Sequence, residues 1–275
     1  QDAMKSYLSQ LECTHCGETQ SADKPAGTCR VCGKVLFARY DLDGVKNAVS
    51  REGLRDRPPN MWRYYEVLPV RDDSKVISLD EGYTPIFTVE RLGRKIGAHR
   101  LLLKDEGLNP TGCFKARGMS AAVSRAWELG LDRLIVPTAG NAGGALASYA
   151  ARAGLEARVF MPRDAQASNI KEVVSTGSKL TLVDGLISDA GNRSREVAEA
   201  DGLFDLSTLR EPYRAEGKKT MGYEIAEQMG WQMPDAIIYP TGGGTGIIGI
   251  WKAIDEMEKL GWIKGKRPRM FCVQA

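Results

Sequence analysis

The sequence predicts a parallel-rich α/β fold with open sheets, preceded by a small cysteine-knuckle segment. Three observations carry that reading. From residue 101 onward, short apolar runs alternate with amphipathic stretches of helical length. Three glycine-rich or Pro/Gly loops interrupt this pattern, each opening a helical stretch. Before residue 40, two C-x2-C pairs stand apart from the rest of the chain.

Taken in order, the first element is the knuckle segment. Cys13-Thr14-His15-Cys16-Gly17 and Cys29-Arg30-Val31-Cys32-Gly33 place two thiol pairs on tight turns. Four such thiolates can close a tetrahedron around zinc, a structural site with no position left for water. The glycine after each pair admits a left-handed turn. The alternatives are two disulfides or a degenerate, metal-free ribbon, but nothing else points to an oxidising compartment. His15 reads as an exposed spacer. Cys113 and Cys272 stay unpaired, as expected of a reducing cytoplasm.

After Tyr40-Asp41-Leu42-Asp43 comes a short helix, then a loop at 56–60 and aromatic-rich connecting structure at 62–70. Strands are expected at 101–104, 134–137, 157–161, 179–183, 204–206, 236–239 and 269–274, in parallel βα units. Helices are expected at 115–129, 142–153, 168–175, 188–200, 219–229 and 246–260. The chain stops at a strand's carboxyl end, where an α/β protein turns into its next loop, so a truncated chain is expected.

Composition bounds the function. Lys plus Arg is 38 against 35 Asp plus Glu, a net +3 that argues against nucleic acid held by general electrostatics. No apolar run approaches the roughly 18 residues of a membrane span, and Gln1-Asp2-Ala3-Met4-Lys5 lacks a signal-peptide core. Glycine is 30 of 275 residues, about 11% against a usual ~7%, and the excess is clustered.

Those clusters carry the chemistry. Gly242-Gly243-Gly244-Thr245-Gly246 follows a strand and opens a helix, so its amides and the helix's positive end can cradle a phosphate. Its G-x-G-x-x-G match to a dinucleotide site lacks the acidic residue expected about 20 positions on. Thr138-Ala139-Gly140-Asn141-Ala142 has the same placement and can offer N–H groups to a carboxylate. There Asn141 is either a helix N-cap or an amide free to reach a ligand. Lys115 follows a Pro/Gly turn at the start of an apolar helix. A lysine near a positive helix end and partly desolvated has a lowered pKa, which suits a Schiff-base amine.

Together the loops resemble the pyridoxal-phosphate (PLP) enzymes of fold type II. Asn109-Pro110-Thr111-Gly112-Cys113-Phe114-Lys115-Ala116-Arg117-Gly118 is similar to their lysine motif N-P-T-G-S-F-K-x-R-G. Residues 138–143 look like their substrate loop, and 242–246 like their cofactor-phosphate loop. Within that family, Glu211-Pro212-Tyr213-Arg214-Ala215-Glu216-Gly217-Lys218-Lys219-Thr220 and the cysteine pairs are similar to threonine synthases. Cys113 departs from the usual Ser, and Ala116 from the Asp of many threonine synthases.

The resemblance implies a two-domain, tryptophan-synthase-β-like fold. Its parts would be a zinc-ribbon-like segment at 1–43, a larger, incomplete PLP domain from 44–100 and 217–275, and a smaller movable domain at 101–216. It implies that Lys115 is catalytic and holds PLP, that Asn141 and Gly242, Gly243, Gly244, Thr245 and Gly246 bind the cofactor, and that Thr138, Ala139, Gly140, Asn141 and Ala142 hold substrate. Zinc would sit on Cys13, Cys16, Cys29 and Cys32. The residue meeting the pyridine nitrogen is expected beyond Ala275. The implied reaction converts O-phospho-L-homoserine and water to L-threonine and phosphate in the cytoplasm. Its partner is a small amino-acid phosphate, with neither nucleic acid nor membrane, and a homodimer is the candidate assembly. The substrate's phosphate needs a second site, for which Lys218 and Lys219 are candidates unless they form a solvated helix start. The rivals are a hydroxy-amino-acid dehydratase or β-replacement lyase on the same frame, a zinc-ribbon binding protein, and an inactive fragment.

Overall fold

The computed structural model describes residues 4–274. Strands β1 (Leu8–Cys13), β2 (Thr19–Ser21) and β3 (Leu36–Tyr40) form an antiparallel sheet in the order β2-β1-β3. Leu8 and Leu11 are three residues apart yet both buried, because the register with β3 shifts between Leu8 and Gln10. Helix α1 (Leu42–Ala48) follows, started by the Asp41 carboxylate accepting from Gly44 N. Residues 61–70 are buried throughout, in 3-10 turns and extended chain, as packed connecting structure.

Strand β4 (Ile86–Thr88), helix α2 (Glu90–Ile96) and strand β5 (Leu102–Lys104) come next. Here the expectation of parallel βα units from residue 101 is corrected: β5 pairs antiparallel with β4. The expected domain boundary at 100/101 therefore falls between two paired strands.

The parallel pattern begins with α3 (Lys115–Glu128) and β6 (Arg133–Pro137). It continues through α4 (Ala142–Ala153), β7 (Glu156–Pro162), α5 (Ala167–Ser175), β8 (Lys179–Val183), α6 (Ile187–Asp201) and β9 (Phe204–Asp205). These strands form a parallel sheet in the order β8-β7-β6-β9. Leu134, Ile135 and Val136 are buried in consecutive positions because helices cover both faces of the sheet. Helix α7 (Tyr213–Gln228) leads to β10 (Ala236–Pro240), α8 (Thr245–Leu260) and β11 (Arg269–Val273), where β10 and β11 pair in parallel. No helix of the described residues is long and apolar enough to cross a membrane.

Helix α7 begins at Tyr213, well before the expected 219, and the expected boundary at 216/217 lies inside it. Glu211 starts the helix, its carboxylate accepting from Tyr213 N at 2.6 Å and Arg214 N at 2.9 Å. The charged run that follows is not a solvated helix start. Arg214, Glu216, Lys218 and Lys219 are all buried, because α7 runs between α3 and α8. A Cβ on Gly217 would lie 1.9 Å from Arg117 O, so the two helices touch backbone to backbone there.

Much of the charge inside this helix layer is paired. Arg117 on α3 is fully buried and donates to Glu106 and Glu224, with Nη1 also reaching Thr220 Oγ1 at 2.9 Å. Lys104 joins Glu224 at 2.8 Å. A second network holds the ribbon. Lys219 pairs with Glu216 and Glu256, and Lys252 pairs with Glu216 while donating to Ala38 O of β3 at 2.6 Å.

Burial alone would raise the Glu224 pKa, but Arg117 and Lys104 outweigh it and hold it at about 2. Its folded value lies below its unfolded value of roughly 4.3, so its contribution is full above that pH and is lost as pH falls toward 2. Arg117→Met should lower stability by about 3–5 kcal/mol at neutral pH by leaving buried carboxylates short of a partner. Urea unfolding at several pH values checks both: the wild-type midpoint falls below about pH 4, and the variant starts lower with a shallower acid decline.

Candidate active site

The loop from Thr241 to Gly244 joins β10 to α8. Gly244 takes φ +83° at the N-cap of α8, a left-handed conformation that a side chain would strain. The amides of Gly242, Gly243 and Gly244 donate to no other group among the described residues. They sit at the positive end of a 16-residue helix, which makes the loop an open anion cup.

Lys115 is the first residue of α3 and lines the same cavity, of about 210 Å³, as residues 242–246. Its Nζ lies 3.6 Å from the centroid of the Phe114 ring and has no ion pair or hydrogen bond among the described residues. Burial pushes its pKa below the usual lysine value; Cys113 opposes the shift and Arg214 adds to it. This agrees with the lowered pKa expected from the sequence. Phe114 in turn packs edge-on against Tyr239, ring centroids 5.5 Å apart, whose buried hydroxyl has no partner.

Thr138, Gly140, Asn141 and Ala142 line the cavity too, while Ala139 is exposed and does not. Asn141 occupies the N-cap position of α4, but its side chain caps nothing, so the amide faces the cavity unspent. The Gly140 amide is spent, donating to Thr138 Oγ1 at 3.0 Å, which leaves Ala139, Asn141 and Ala142 as the free donors of this loop. A larger cleft of about 390 Å³, beside Trp127 and Arg152, lies apart from all these groups.

Two further cations line the cavity. Arg214 donates to Leu206 O at 2.6 Å, but its Nε is buried without a partner. Lys218 donates to Thr245 Oγ1. Lys219, the neighbouring candidate for the substrate phosphate, instead points away into its two glutamates. Arg214 was not visible in the sequence as a site residue. Its only signal is its place in the 211–220 stretch, where charge reads as solvated surface.

These groups fit PLP. The cup of free amides suits a phosphate, the lysine of lowered pKa suits an aldehyde, and Phe114 and Tyr239 give the cavity an aromatic wall. A dinucleotide gives no reason for Lys115 to share a cavity with the glycine loop.

The four ribbon cysteines meet outside this cavity. Cys13 and Cys32 sulfurs are 3.4 Å apart, Cys16 and Cys32 3.5 Å, and Cys16 and Cys29 3.7 Å. None of the six cysteines forms a disulfide. The sulfur separations are close to the ~3.8 Å edge of a tetrahedron with 2.3 Å zinc–sulfur bonds. Gly17 and Gly33 take the expected left-handed turns, at φ +73° and +68°. His15 is exposed, and its amide points at Cys13 Sγ. The Cys16 amide lowers the Cys13 pKa to about 6, against burial and with help from the His15 amide. For Cys32 the Lys34 amide favours the thiolate, but burial and the other three cysteines push it up to about 12. Thiols so crowded share protons unless a cation neutralises them.

Comparison with known proteins agrees with this geometry. A family model described as pyridoxal-phosphate dependent enzyme matches residues 77–275. The threonine synthase of Methanocaldococcus jannaschii is 39% identical over 264 residues, covering 96% of this chain and 64% of its own length. That of Methanosarcina acetivorans is 36% identical over 266 residues, with the same coverage. The chain thus spans just under two thirds of these curated relatives. Among solved structures, a pyridoxal 5'-phosphate-dependent aspartate racemase has a TM-score of 0.60 at 26% identity, covering 70% of this chain and 57% of that chain. Maize serine racemase has a TM-score of 0.59 at 26% identity, covering 69% and 55%. The chain therefore belongs to the pyridoxal-phosphate dependent enzymes.

Proposed function

We propose that this chain carries the active site of a threonine synthase, converting O-phospho-L-homoserine and water to L-threonine and phosphate. The observation that carries the reading is the sharing of one cavity by Lys115, the glycine cup and two further buried cations. PLP, when bound, supplies an acceptor for the electrons released at the substrate α-carbon. Lys115 would hold the cofactor's aldehyde and, displaced by the substrate amine, move protons at Cα and Cβ; its lowered pKa leaves more of it as free amine. The cup of 242–246 holds the cofactor phosphate, and the Asn141 amide reaches the ring or substrate. The free amides of the 138–142 loop receive the substrate carboxylate. Arg214 would take the substrate phosphate, with its unpartnered Nε as donor. Phosphate leaves from Cγ, and the oxygen of water ends on Cβ.

The threonine synthase relatives, at 36–39% identity, support this reaction over those of the racemases, at 26%. A second basic group beyond the cup supports it too, since a dehydratase or β-replacement lyase needs no second phosphate site. Product analysis decides. Phosphohomoserine should yield threonine and phosphate, while turnover of threonine or serine alone would assign a dehydratase or β-replacement enzyme. Lys115→Ala should keep the circular dichroism of the fold and lose the visible absorbance band that borohydride removes. A mutant that keeps the band sinks the assignment of Lys115. Gly244→Val should weaken PLP binding strongly, through backbone strain and a blocked cup.

The four ribbon cysteines would hold one zinc ion in a closed structural site. Metal analysis of purified protein should find about one zinc per chain. Finding none, with four reactive thiols, would make the segment a metal-free ribbon. Chelation should loosen residues 4–40 without abolishing PLP binding.

A further inference from the structure

The phosphate cup contains a cation that the glycine loop itself does not require. Lys218 is 2% exposed on α7, and its Nζ donates to the hydroxyl of Thr245, the first residue of α8. An ammonium carries only donors, so Thr245 Oγ1 must be the acceptor in this bond. The hydroxyl's own hydrogen remains free, and Thr245 borders the cavity that the loop amides line.

The place of this amine is built into the helices. A Cβ on Gly118 of α3 would lie 3.0 Å from Lys218 Cε and 3.1 Å from Arg214 O, so the glycine makes room for the lysine stem. No carboxylate among the described residues pairs with Lys218, in contrast to the next residue, Lys219, which holds two. Facing it are Arg214 and Glu211 at the start of α7, Lys115 and Cys113 at the entry to α3, and Thr245. Burial, then Arg214 and Lys115, push its pKa well below the usual lysine value, against Glu211 and Cys113. A buried cation whose single hydrogen bond leads to an anion cup lacks a counter-charge that an anion would supply.

We propose that Lys218 is a positioning residue for the cofactor phosphate: it orients the Thr245 hydroxyl as a donor into the cup and supplies the positive charge behind it. This rests on the reading of residues 242–246 as the PLP phosphate site. It separates the two lysines of the cavity: Lys115 bonds the aldehyde end of the ligand, and Lys218 sets affinity for the phosphate end.

The test compares PLP with pyridoxal, which has the same aldehyde and no phosphate. Cofactor-stripped protein is titrated with each, and dissociation constants are read from the visible band. Lys218→Gln should weaken PLP binding about 10- to 100-fold and leave pyridoxal binding where it was. Lys218→Arg should recover part of the loss. In the wild type, PLP affinity should fall as pH rises through the depressed Lys218 pKa, since the charge behind Thr245 is lost, and Lys218→Gln should flatten that slope. Unchanged PLP affinity, or equal weakening of both aldehydes, overturns the proposal. Where Lys218→Gln does not fold, Thr245→Val against Thr245→Ser decides, because only the valine variant should lose the preference for PLP over pyridoxal. Wild-type protein that binds neither aldehyde would overturn the cofactor reading, and this inference with it.

Discussion

Arg117 lies with its guanidinium wholly buried between Glu106 and Glu224, carboxylates that approach it from different parts of the chain. Neither side of this arrangement can be given up singly, because a buried charge without its partner is far more costly than the pair. Glu106 lies in the turn before the lysine motif, and Asn109 donates to it at 2.9 Å while accepting from Gly82 N. Glu224 is on α7 and also accepts from Tyr83 N at 2.7 Å. One side chain thus fixes the start of α3, the motif loop and α7. Since Lys115 stands two residues from Arg117 on the same helix, its amine is aimed by charge pairing as much as by packing.

The same economy of pairing explains what could be read from the sequence. Most strands and helices from 133 to 206 and from 236 to 260 matched because short apolar strands there alternate with helices that bury one face. Lys115 and the 242–246 loop stood out because a Pro/Gly turn before a lysine and a glycine run before a helix are distinctive patterns, and the fold brings both to one cavity. The start of α7 was not. Periodicity treats charge as solvent-facing, and residues 214–219 bury it, Glu216 and Lys219 against each other, Arg214 and Lys218 beside the cavity. Adjacent lysines show the limit most clearly. Successive residues on a helix point about 100° apart, so Lys218 reaches the cavity while Lys219 reaches Glu256, and the letters alone are identical. The antiparallel β4–β5 pair was missed for another reason. Three-residue strands carry too short a pattern to show which way a neighbour runs.

Asn141 shows how a cavity-lining loop can set local stability aside. Asparagine at this position would ordinarily close a helix end with its own side chain, yet here the Ala142 amide at the start of α4 is left open and the carboxamide is left unspent. Unsatisfied groups gathered at one place are what a ligand can satisfy. The loop amides of 242–244, the Tyr239 hydroxyl and the Arg214 Nε belong to the same set.

The bond from Lys252 to Ala38 O bears on the modularity of the chain. A ribbon of some forty residues looks like a piece that evolution or an engineer could add or remove at a linker. Here the backbone of β3 accepts from a buried lysine of α8, and the Tyr40 ring lies 3.9 Å from the Lys219 ammonium. Cutting the ribbon away would open two buried cations and their glutamates to a surface built to be covered. The ribbon is therefore not a detachable cassette, and a lineage that lost it would have had to rewrite the inner faces of α7 and α8 in the same stroke.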